Sequence, residues 1–244
     1  MKNEIERLKE EFERIKSRGW ILEKTKGKGS CGILFEELLN KMEDNFPVPD
    51  YHNIEIKTMN DNTKTNLHLF CLTPDGDYLF PIKRVLKEIG YPCGDRRMFH
   101  ATFNTNDYTK LMFGRKGKIV VNYKEEKVEL IVYNHFDENI NIGISWSFDY
   151  LRKRLEAKLQ YLAFVRVSSC IINGKGYYHY HTISFYKLKC FDEFIMLIAQ
   201  GIIDVSFKID TYKSGKRIGE VHDHGTDFSI KVSDISLLYD LIEL

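Results

Sequence analysis

Two carboxylates and a lysine lie close together in the segment "FPVPDYHNIEIKT", which covers residues 46–58. Asp50 follows a proline, and Glu55 and Lys57 alternate with two isoleucines. If this alternation marks a strand, the isoleucines face a core and the two charged side chains face solvent on the other side. Carboxylates bind Mg²⁺, and a lysine can position or help to deprotonate an attacking water molecule. The residue types therefore suit metal-assisted hydrolysis of a phosphodiester.

The spacing Glu-x-Lys is by itself a weak signal, because it also occurs at Glu125 and Lys127 and at Glu156 and Lys158. The first of these copies falls in a predicted turn. The second falls in a predicted helix, where residues two apart point in different directions. Only the copy at Glu55 combines a strand, an upstream aspartate and a preceding helix that carries an acid. On the residues alone, a charged strand edge explains the pattern about as well as a nuclease site does.

Histidines alternate with other residues in "HDHGT" (222–226) and in "HYH" (179–181). In a strand, this spacing directs both imidazoles to one side, which suits a metal ion as well as a surface that reads a DNA groove. A cupin-like metal site is therefore a rival interpretation. The adjacent loop "YKSGKRIG" carries lysines and an arginine, which favours phosphates and base edges as its partners. For His179 and His181 we favour an edge strand rich in tyrosine and histidine.

The composition of the 244 residues is that of a globular protein, with 43% hydrophobic residues and a net charge of +1. Proteins that bind nucleic acid by electrostatics alone are usually strongly basic, which argues against that class. The five cysteines are widely spaced and include no C-x-x-C pair, so they indicate neither a disulfide framework nor a zinc site. The apolar runs are too short to span a bilayer, and we expect a cytoplasmic protein with no membrane segment.

Hydrophobic periodicity predicts helices and strands interleaved along the chain, so the predicted fold class is mixed α/β. An amphipathic helix opens the chain, and a second helix with a buried stripe precedes the Glu55 strand. We expect residues 66–73 to pair with that strand, and residues from about 90 to 114 show little pattern. The stripe of the second helix consists of Ile33, Leu34, Leu38 and Met42. The later elements are a helix at 81–89, strands within 118–134 with a turn at Glu125–Glu126, a helix at 146–162, a central strand at 163–172, a strand at 177–186, a helix at 191–200, two strands within 204–232 joined by a polar loop, and a short C-terminal helix.

Three segments together resemble one family of nucleases. They are "GILFEELLNKMEDNFPVPDYHNIEIKT", "WSFDYLRKRLEAKLQYLAF" and "YKSGKRIGEVHDHGTDF". In order and spacing they are similar to the MvaI/BcnI type of restriction endonucleases, in the MutH-like branch of the PD-(D/E)-x-K nucleases. The similarity covers most of the chain and is weakest between about 74 and 145. It implies a PD-(D/E)-x-K restriction-endonuclease fold, with a mixed central sheet flanked by helices and two lobes around a DNA cleft.

The resemblance also implies an activity and its organisation. We expect a type II restriction endonuclease that is monomeric, depends on Mg²⁺ or on Mn²⁺ in its place, and cuts double-stranded DNA at a short site. The products would carry a 5′-phosphate and a 3′-hydroxyl, and a DNA methyltransferase encoded nearby would protect the host site. We expect one domain over residues 1–244, with the catalytic centre around 30–75 and a DNA-recognition part that includes 204–232.

Residue by residue, the resemblance assigns catalysis to four positions and metal binding to three. The catalytic residues are Asp50, Glu55, Lys57 and Glu36, and the metal-site residues are Asp50, Glu55 and Ile56. DNA binding falls on Lys208, Tyr212, Lys213, Lys216, Arg217, His222 and His224. Among these, Lys208 and the two histidines would read bases, whereas Lys213, Lys216 and Arg217 would mainly contact phosphates.

Three positions depart from the pattern of the family. Arginine is expected where Lys208 and Ser229 stand, and aspartate where Ser206 stands. Because arginine paired to guanine is the commonest specific contact, the resemblance does not supply the recognition sequence. Two other functions share these features: a MutH-like repair enzyme that nicks one strand, and a DNA-binding protein that has lost cleavage. The intact Asp50, Glu55 and Lys57 argue against the second of these.

Overall fold

The computed structural model describes residues 2–27, 29–39, 49–76 and 80–243. In these ranges the helices are α1 (Lys2–Lys16), α2 (Ser30–Leu38), α3 (Pro81–Ile89), α4 (Phe148–Leu159), α5 (Phe191–Ala199) and α6 (Ile235–Leu238). The strands are β1 (Ile21–Leu22), β2 (Ile54–Asn60), β3 (Leu67–Cys71), β4 (Tyr91–Cys93), β5 (Arg96–Phe103), β6 (Thr109–Lys110), β7 (Lys116–Asn122), β8 (Lys127–Tyr133), β9 (Ile144–Ser147), β10 (Tyr161–Ile172), β11 (Lys175–Leu188), β12 (Ile203–Thr211), β13 (Val221–Asp223), β14 (Asp227–Ile230) and β15 (Tyr239–Leu241). Met42, predicted to be buried, lies outside the described residues.

The chain folds as two compact units. The first unit contains residues 1–67, 155–189 and 238–244, and the second contains residues 68–154 and 190–237. The predicted catalytic residues therefore belong to the first unit, and the predicted recognition segment belongs to the second. That residues 1–244 form a single domain stays a prediction.

The first unit is built on a sheet in the order β1-β11-β10-β2, with β15 also paired to β11. Helix α1 packs against β11, and its apolar residues recur at three- and four-residue steps, so one stripe of the helix faces the core. This agrees with the prediction for the N-terminal helix. The core of the unit consists of Ile5, Leu8, Phe12, Ile15, Phe35, Ile54, Ile56, Ala163, Val165, Val167, Tyr180 and Phe185.

The predicted pairing of the Glu55 strand with residues 66–73 is wrong. Strand β2 instead runs parallel to β10, whereas β3 pairs with β14 in another sheet. Strand β10 is a near-continuous apolar run, as expected of a strand covered on both faces. Parallel strands need a long crossover connection, which the residues between β2 and β10 provide. The short distance in sequence between β2 and β3 favoured a hairpin. Strand β2 pairs instead with the apolar central strand β10.

The second unit contains two sheets, in the orders β3-β14-β12-β5-β4 and β6-β7-β8-β9, with β13 paired to β12. The predicted turn at Glu125–Glu126 joins β7 to β8, and Glu126 has a φ of 47°.

Strands β4 and β5 lie where the sequence showed little pattern. In β5 only Phe99 and Phe103 are buried, and polar residues occupy the open face between them, which hides the alternation. The predicted helix from 146 begins later, because Trp146 belongs to β9.

No helix in the described parts of the chain is long and apolar enough to cross a membrane. All five cysteines are free thiols, as the spacing predicted. Cys93 and Cys190 are exposed, and the other three are half-buried.

Candidate active site

A tight turn before β2 places Asp50 beside that strand. Tyr51 and Ile54 exchange two main-chain hydrogen bonds, of 2.9 and 2.8 Å, and His52 between them has a φ of 50°. The chain therefore doubles back, and the main-chain N–H of Ile56 donates to Oδ2 of Asp50 at 3.0 Å. This bond fixes the Asp50 carboxylate next to the middle of β2, although the two residues are six apart in sequence.

Glu55 is buried, with only 1% of its surface exposed, although the sequence predicted that it would face solvent. Lys57 Nζ donates to Glu55 Oε1 at 2.7 Å, and Lys158 Nζ lies 3.3 Å from the same oxygen. These two lysine side chains are 19 and 21% exposed, so they partly cover the carboxylate. The other oxygen, Oε2, is buried and has no hydrogen-bond partner.

The surroundings of Glu55 pull its pKa in opposite directions. Burial raises the pKa of this carboxyl group, the Lys57 ammonium lowers it, the Asp50 carboxylate raises it and Lys158 lowers it, and the net direction is upward. Tyr239 on β15 is also buried, and its hydroxyl has no hydrogen-bond partner. Burial and the charge of Glu55 raise the pKa of that hydroxyl. The site therefore holds a poorly solvated Glu55 carboxylate and a half-buried Asp50, with two lysine ammonium groups at one oxygen of Glu55.

Lys158 is the one residue that the sequence analysis dismissed and the structure places at Glu55. The sequence argument was that Glu156 and Lys158 cannot face each other along α4, and it did not consider a partner on another element. Across the sheet, Leu162 is opposite Glu55, so the last turn of α4 ends beside the predicted site. In the other copy, Glu125 lies in the predicted turn, and Lys127 begins β8 in the second unit, 3.4 Å from Glu129. That this copy takes no part in catalysis stays a prediction.

Glu36, the further predicted catalytic acid, is half-buried on α2. This helix packs against β2, where Cys31 Sγ lies 3.7 Å from Thr58 Oγ1. Its role in catalysis stays a prediction. Of the buried stripe predicted for α2, Leu34 is buried and Leu38 packs against the core at its edge.

The predicted recognition segment is held by strands, as the sequence suggested. On β12, Val205, Phe207 and Ile209 are buried on one face, so Lys208 lies on the other, more open face, where Ser206 is still covered. On this open face the side chain of Lys208 is 56% exposed. Strand β13 pairs with the end of β12 and strand β14 pairs with its beginning, which fixes both ends of the segment.

Four of the predicted DNA-binding residues form a row of stacked side chains. The Arg217 guanidinium lies 4.4 Å from the ring of Tyr212, and Tyr212 stacks on His222 at 4.3 Å. The ring of His222 lies 4.1 Å from that of His224. The other two predicted DNA-binding residues of the polar loop, Lys213 and Lys216, are exposed.

Each histidine of the two rival metal sites contacts a neighbouring side chain. His224 Nε2 lies 3.1 Å from Asp210 Oδ2, and the ring of His222 is occupied by stacking. In the first unit, His181 Nε2 lies 2.8 Å from Asp61 Oδ2, and His179 packs against an aromatic ring. Within the described ranges, no three or more His, Cys, Asp or Glu residues are grouped to hold a metal ion. The histidine pairs are therefore built into hydrogen-bonded and stacked networks.

A protein-family model for the MvaI/BcnI restriction endonuclease family matches residues 9–239. The chain belongs to the MvaI/BcnI restriction endonuclease family. It is therefore a site-specific deoxyribonuclease. Among solved structures it is similar to restriction endonuclease MvaI in complex with its cognate DNA substrate, with 32% identity over 99% of this chain and 98% of that one and a TM-score of 0.91. MvaI in the absence of DNA gives 29% identity over the same shares and a TM-score of 0.64. No curated protein matches the chain.

The donor set around Glu55 fits a divalent metal ion of the kind that restriction endonucleases generally use. Asp50 and Glu55 supply hard carboxylate oxygens, which Mg²⁺ prefers. The buried Oε2 of Glu55 has no hydrogen-bond partner, and such an atom calls for a ligand. Ile56 has an apolar side chain in the core, so only its main-chain carbonyl could contribute.

Several residues that sequence analysis missed line these two regions. In the first unit they are Lys158 and Tyr239, and in the second they are His68, His100, Asp210 and Asp227. A signal for Lys158 was available, because it follows Leu151 and Leu155 at helical spacing and so borders the buried stripe of α4. No local signal marked the others, since their partners lie on strands far away in sequence.

The raised pKa of Glu55 predicts a stability effect. A folded-state pKa above the ordinary value of 4.5 means that the stability Glu55 contributes is complete below that pH and is lost as the pH rises through the folded-state pKa. Without divalent cations, Glu55→Gln should therefore raise the Tm at neutral pH, where about 1 kcal/mol corresponds to roughly 2–4 °C. The gain should shrink as the pH is lowered. Thermal unfolding in EDTA, from neutral pH down to the ordinary pKa of 4.5, measures the difference in Tm between the variant and the wild type.

The control for this experiment is Glu156→Gln on the exposed side of α4, for which we expect no such pH dependence. A Glu55→Gln protein less stable than the wild type at neutral pH would contradict the account of Glu55. A gain that stayed constant as the pH fell would contradict it as well, because then ionisation of Glu55 would not be its cause.

Proposed function

We propose that this protein is a Mg²⁺-dependent type II restriction endonuclease that hydrolyses double-stranded DNA at a short site, leaving a 5′-phosphate and a 3′-hydroxyl. The observation that carries the proposal is the fixed set of Asp50, Glu55 and Lys57, with one buried oxygen of Glu55 unused. Membership of the family and the similarity to MvaI bound to its cognate DNA support the choice of substrate.

In this mechanism each side chain has a separate task. Asp50 and Glu55, with the carbonyl of Ile56, would hold Mg²⁺. When bound, Mg²⁺ neutralises charge on the scissile phosphate and lowers the pKa of a water molecule. Lys57 holds Oε1 of Glu55, and Oε2, which has no hydrogen-bond partner, would be available to the ion. The partly exposed ammonium of Lys57 can also position the attacking water, and Glu36 serves as an additional acid.

Recognition is proposed for the open face of β12 and the adjoining loop. Lys208, His222 and His224 can hydrogen-bond to purine N7 and guanine O6, which identifies bases in the major groove. Tyr212, Lys213, Lys216 and Arg217 would position the duplex through its backbone. The row of stacked rings supports this assignment, because it restricts the rotamers of His222 and Tyr212 before DNA arrives.

The proposal includes the cellular setting. The enzyme would act as a monomer in the cytoplasm, and Mn²⁺ would replace Mg²⁺ in vitro. A methyltransferase encoded nearby would modify the same site. This enzyme is a functional partner and need not bind the nuclease.

Digestion of plasmid DNA tests the proposal. Purified protein with Mg²⁺ should give discrete fragments, and sequencing of the ends should return one short site with termini that DNA ligase rejoins. EDTA should stop the reaction, and Mn²⁺ should restore it. Fragments with random ends, or no cleavage with either ion, would overturn the proposal.

A monomer with one catalytic site should cut one strand in each binding event. A supercoiled plasmid with a single site should therefore accumulate nicked circles before linear DNA appears. Gel analysis of a time course at low enzyme concentration measures this order. Linear product without a nicked intermediate, or a stable dimer in sedimentation at the working concentration, would contradict it.

A further inference from the structure

Two acidic side chains on the open face of the second unit's sheet each lie between two donors. Asp227 on β14 is one of them and is largely buried. Its Oδ1 lies 3.1 Å from His68 Nε2, and its Oδ2 lies 3.7 Å from Lys208 Nζ. The three residues come from three neighbouring strands, β3, β14 and β12.

Asp210 on β12 forms the second arrangement. Its Oδ1 lies 3.3 Å from His100 Nε2 on β5, and its Oδ2 lies 3.1 Å from His224 Nε2. His100 is directly opposite Lys208 in the sheet, so the two arrangements are adjacent. The face therefore presents four side-chain nitrogens that lie 3.1 to 3.7 Å from the oxygens of two carboxylates.

The exposure of these donors separates this face from an ordinary buried network. The side chains of His68, His100, His224 and Lys208 are between 43 and 56% exposed, whereas those of the two aspartates are 10 and 19% exposed. Nε2 of His224 donates a hydrogen bond to Asp210 Oδ2, because a carboxylate only accepts. Nε2 of His100 and Nε2 of His68 lie within ion-pair distance of their aspartates, and Nε2 of His68 also lies 3.3 Å from Cys71 Sγ. Each ring has a second nitrogen, Nδ1, which accepts a hydrogen bond when the only ring proton is on Nε2 and donates one when the ring is protonated. Either form can pair with a base edge in the major groove.

The positioned imidazoles add fixed hydrogen-bonding groups, which the flexible side chain of Lys208 does not provide by itself. A lysine is a point charge on a flexible stem, and it does not have the fork of an arginine that fits guanine twice. Imidazoles fixed by buried carboxylates lose little freedom when they meet a base, and recognition by positioned groups discriminates better than recognition by mobile ones. Asp227 also restrains Lys208 itself.

We propose that His68 and His100 are specificity-determining residues that contact base edges, with Asp227 and Asp210 as the residues that position them. The base-reading surface then extends beyond residues 204–232 to strands β3 and β5. This inference rests on the proposed function, because it needs a DNA site that the enzyme cuts.

The test compares base preferences. Once the site is known from plasmid digestion, His68→Ala and His100→Ala are assayed on the cognate duplex and on every duplex with one substituted base pair. Each variant should cut the cognate duplex about ten- to a hundredfold more slowly, and should lose discrimination at one or two base pairs only. His135→Ala is the control, because His135 is an exposed histidine of the same unit that packs against Phe136. It should keep the wild-type rates on all duplexes.

The positioning role has its own readout. Asp227→Asn should relax the preference at the base pairs read by His68 and Lys208, and His68→Gln should shift the preferred base while Tm is unchanged. If both alanine variants keep the wild-type preference, or if they lose activity equally on every duplex, the inference is overturned while the proposed function stands. A wild-type protein that cuts no specific site overturns the proposed function, and the inference falls with it.

Discussion

Asp50→Ala, Glu55→Ala and Lys57→Ala should each lower the rate of DNA cleavage by at least about a thousandfold. Metal ions supply several kcal/mol of charge stabilisation in such reactions, and each 1.36 kcal/mol is a factor of about ten in rate. Removing either carboxylate leaves too few ligands for Mg²⁺. Removing Lys57 deletes the shorter of the two lysine contacts to Glu55 Oε1 and the ammonium proposed to position the attacking water. Single-turnover cleavage of a plasmid with one site measures the loss.

DNA binding should survive in the same variants, because the proposed base and phosphate contacts lie in the second unit. A gel-shift titration measures it. Lys127→Ala is the matched control, since Lys127 occupies the same Glu-x-Lys spacing but pairs with Glu129 on β8. It should cut at the wild-type rate. If Asp50→Ala or Glu55→Ala cut as fast as the wild type, the active site would have to lie elsewhere.

The sequence predicted the strand of the active site better than its environment. The alternation in β2 correctly placed Ile54 and Ile56 in the core, because that pattern is a property of the strand alone. It said nothing of what would cover the opposite face. Glu55 is buried because the parallel pairing of β2 with β10 brings the end of α4 beside it, and the antiparallel pairing of β15 with β11 brings Tyr239 near it. Both pairings join strands that are distant in sequence.

The same division holds for the recognition surface. The loop with its lysines and the "HDHGT" segment were visible because they are contiguous in sequence. His68 and His100 were not, because each is an isolated histidine on the open face of its strand, without a second histidine beside it. Their proposed role in reading bases depends on Asp227 and Asp210. These aspartates lie more than a hundred residues away in the chain and come close to the histidines only through the strand order of the sheet.

Lys158→Met should lower cleavage about ten- to a hundredfold, the usual cost of losing a residue that holds a metal ligand in place. Lys57 and Lys158 both lie at Glu55 Oε1, and both lower the pKa of a carboxyl group that burial raises. Without Lys158 the pKa of Glu55 rises further, so the carboxylate remains protonated to a higher pH. The acidic limb of the pH profile for cleavage should therefore move to higher pH, and a merely structural defect would lower the rate equally at all pH values. Lys158→Arg keeps the charge and should restore much of the rate and the original limb.

Lys153→Met on the same helix is the control for this experiment, because Lys153 is exposed and bound to Asp149 at 2.6 Å, one turn before it. We expect its rate and pH profile to match those of the wild type. Lys158 follows Glu55 in the sequence by more than a hundred residues, yet it lies at the same carboxylate oxygen as Lys57. A Lys158→Met enzyme that cut like the wild type, with an unmoved acidic limb, would mean that Lys57 alone suffices to hold Glu55. The second ammonium would then contribute only to covering the buried carboxylate, because its charge would have no measurable effect on the ligand.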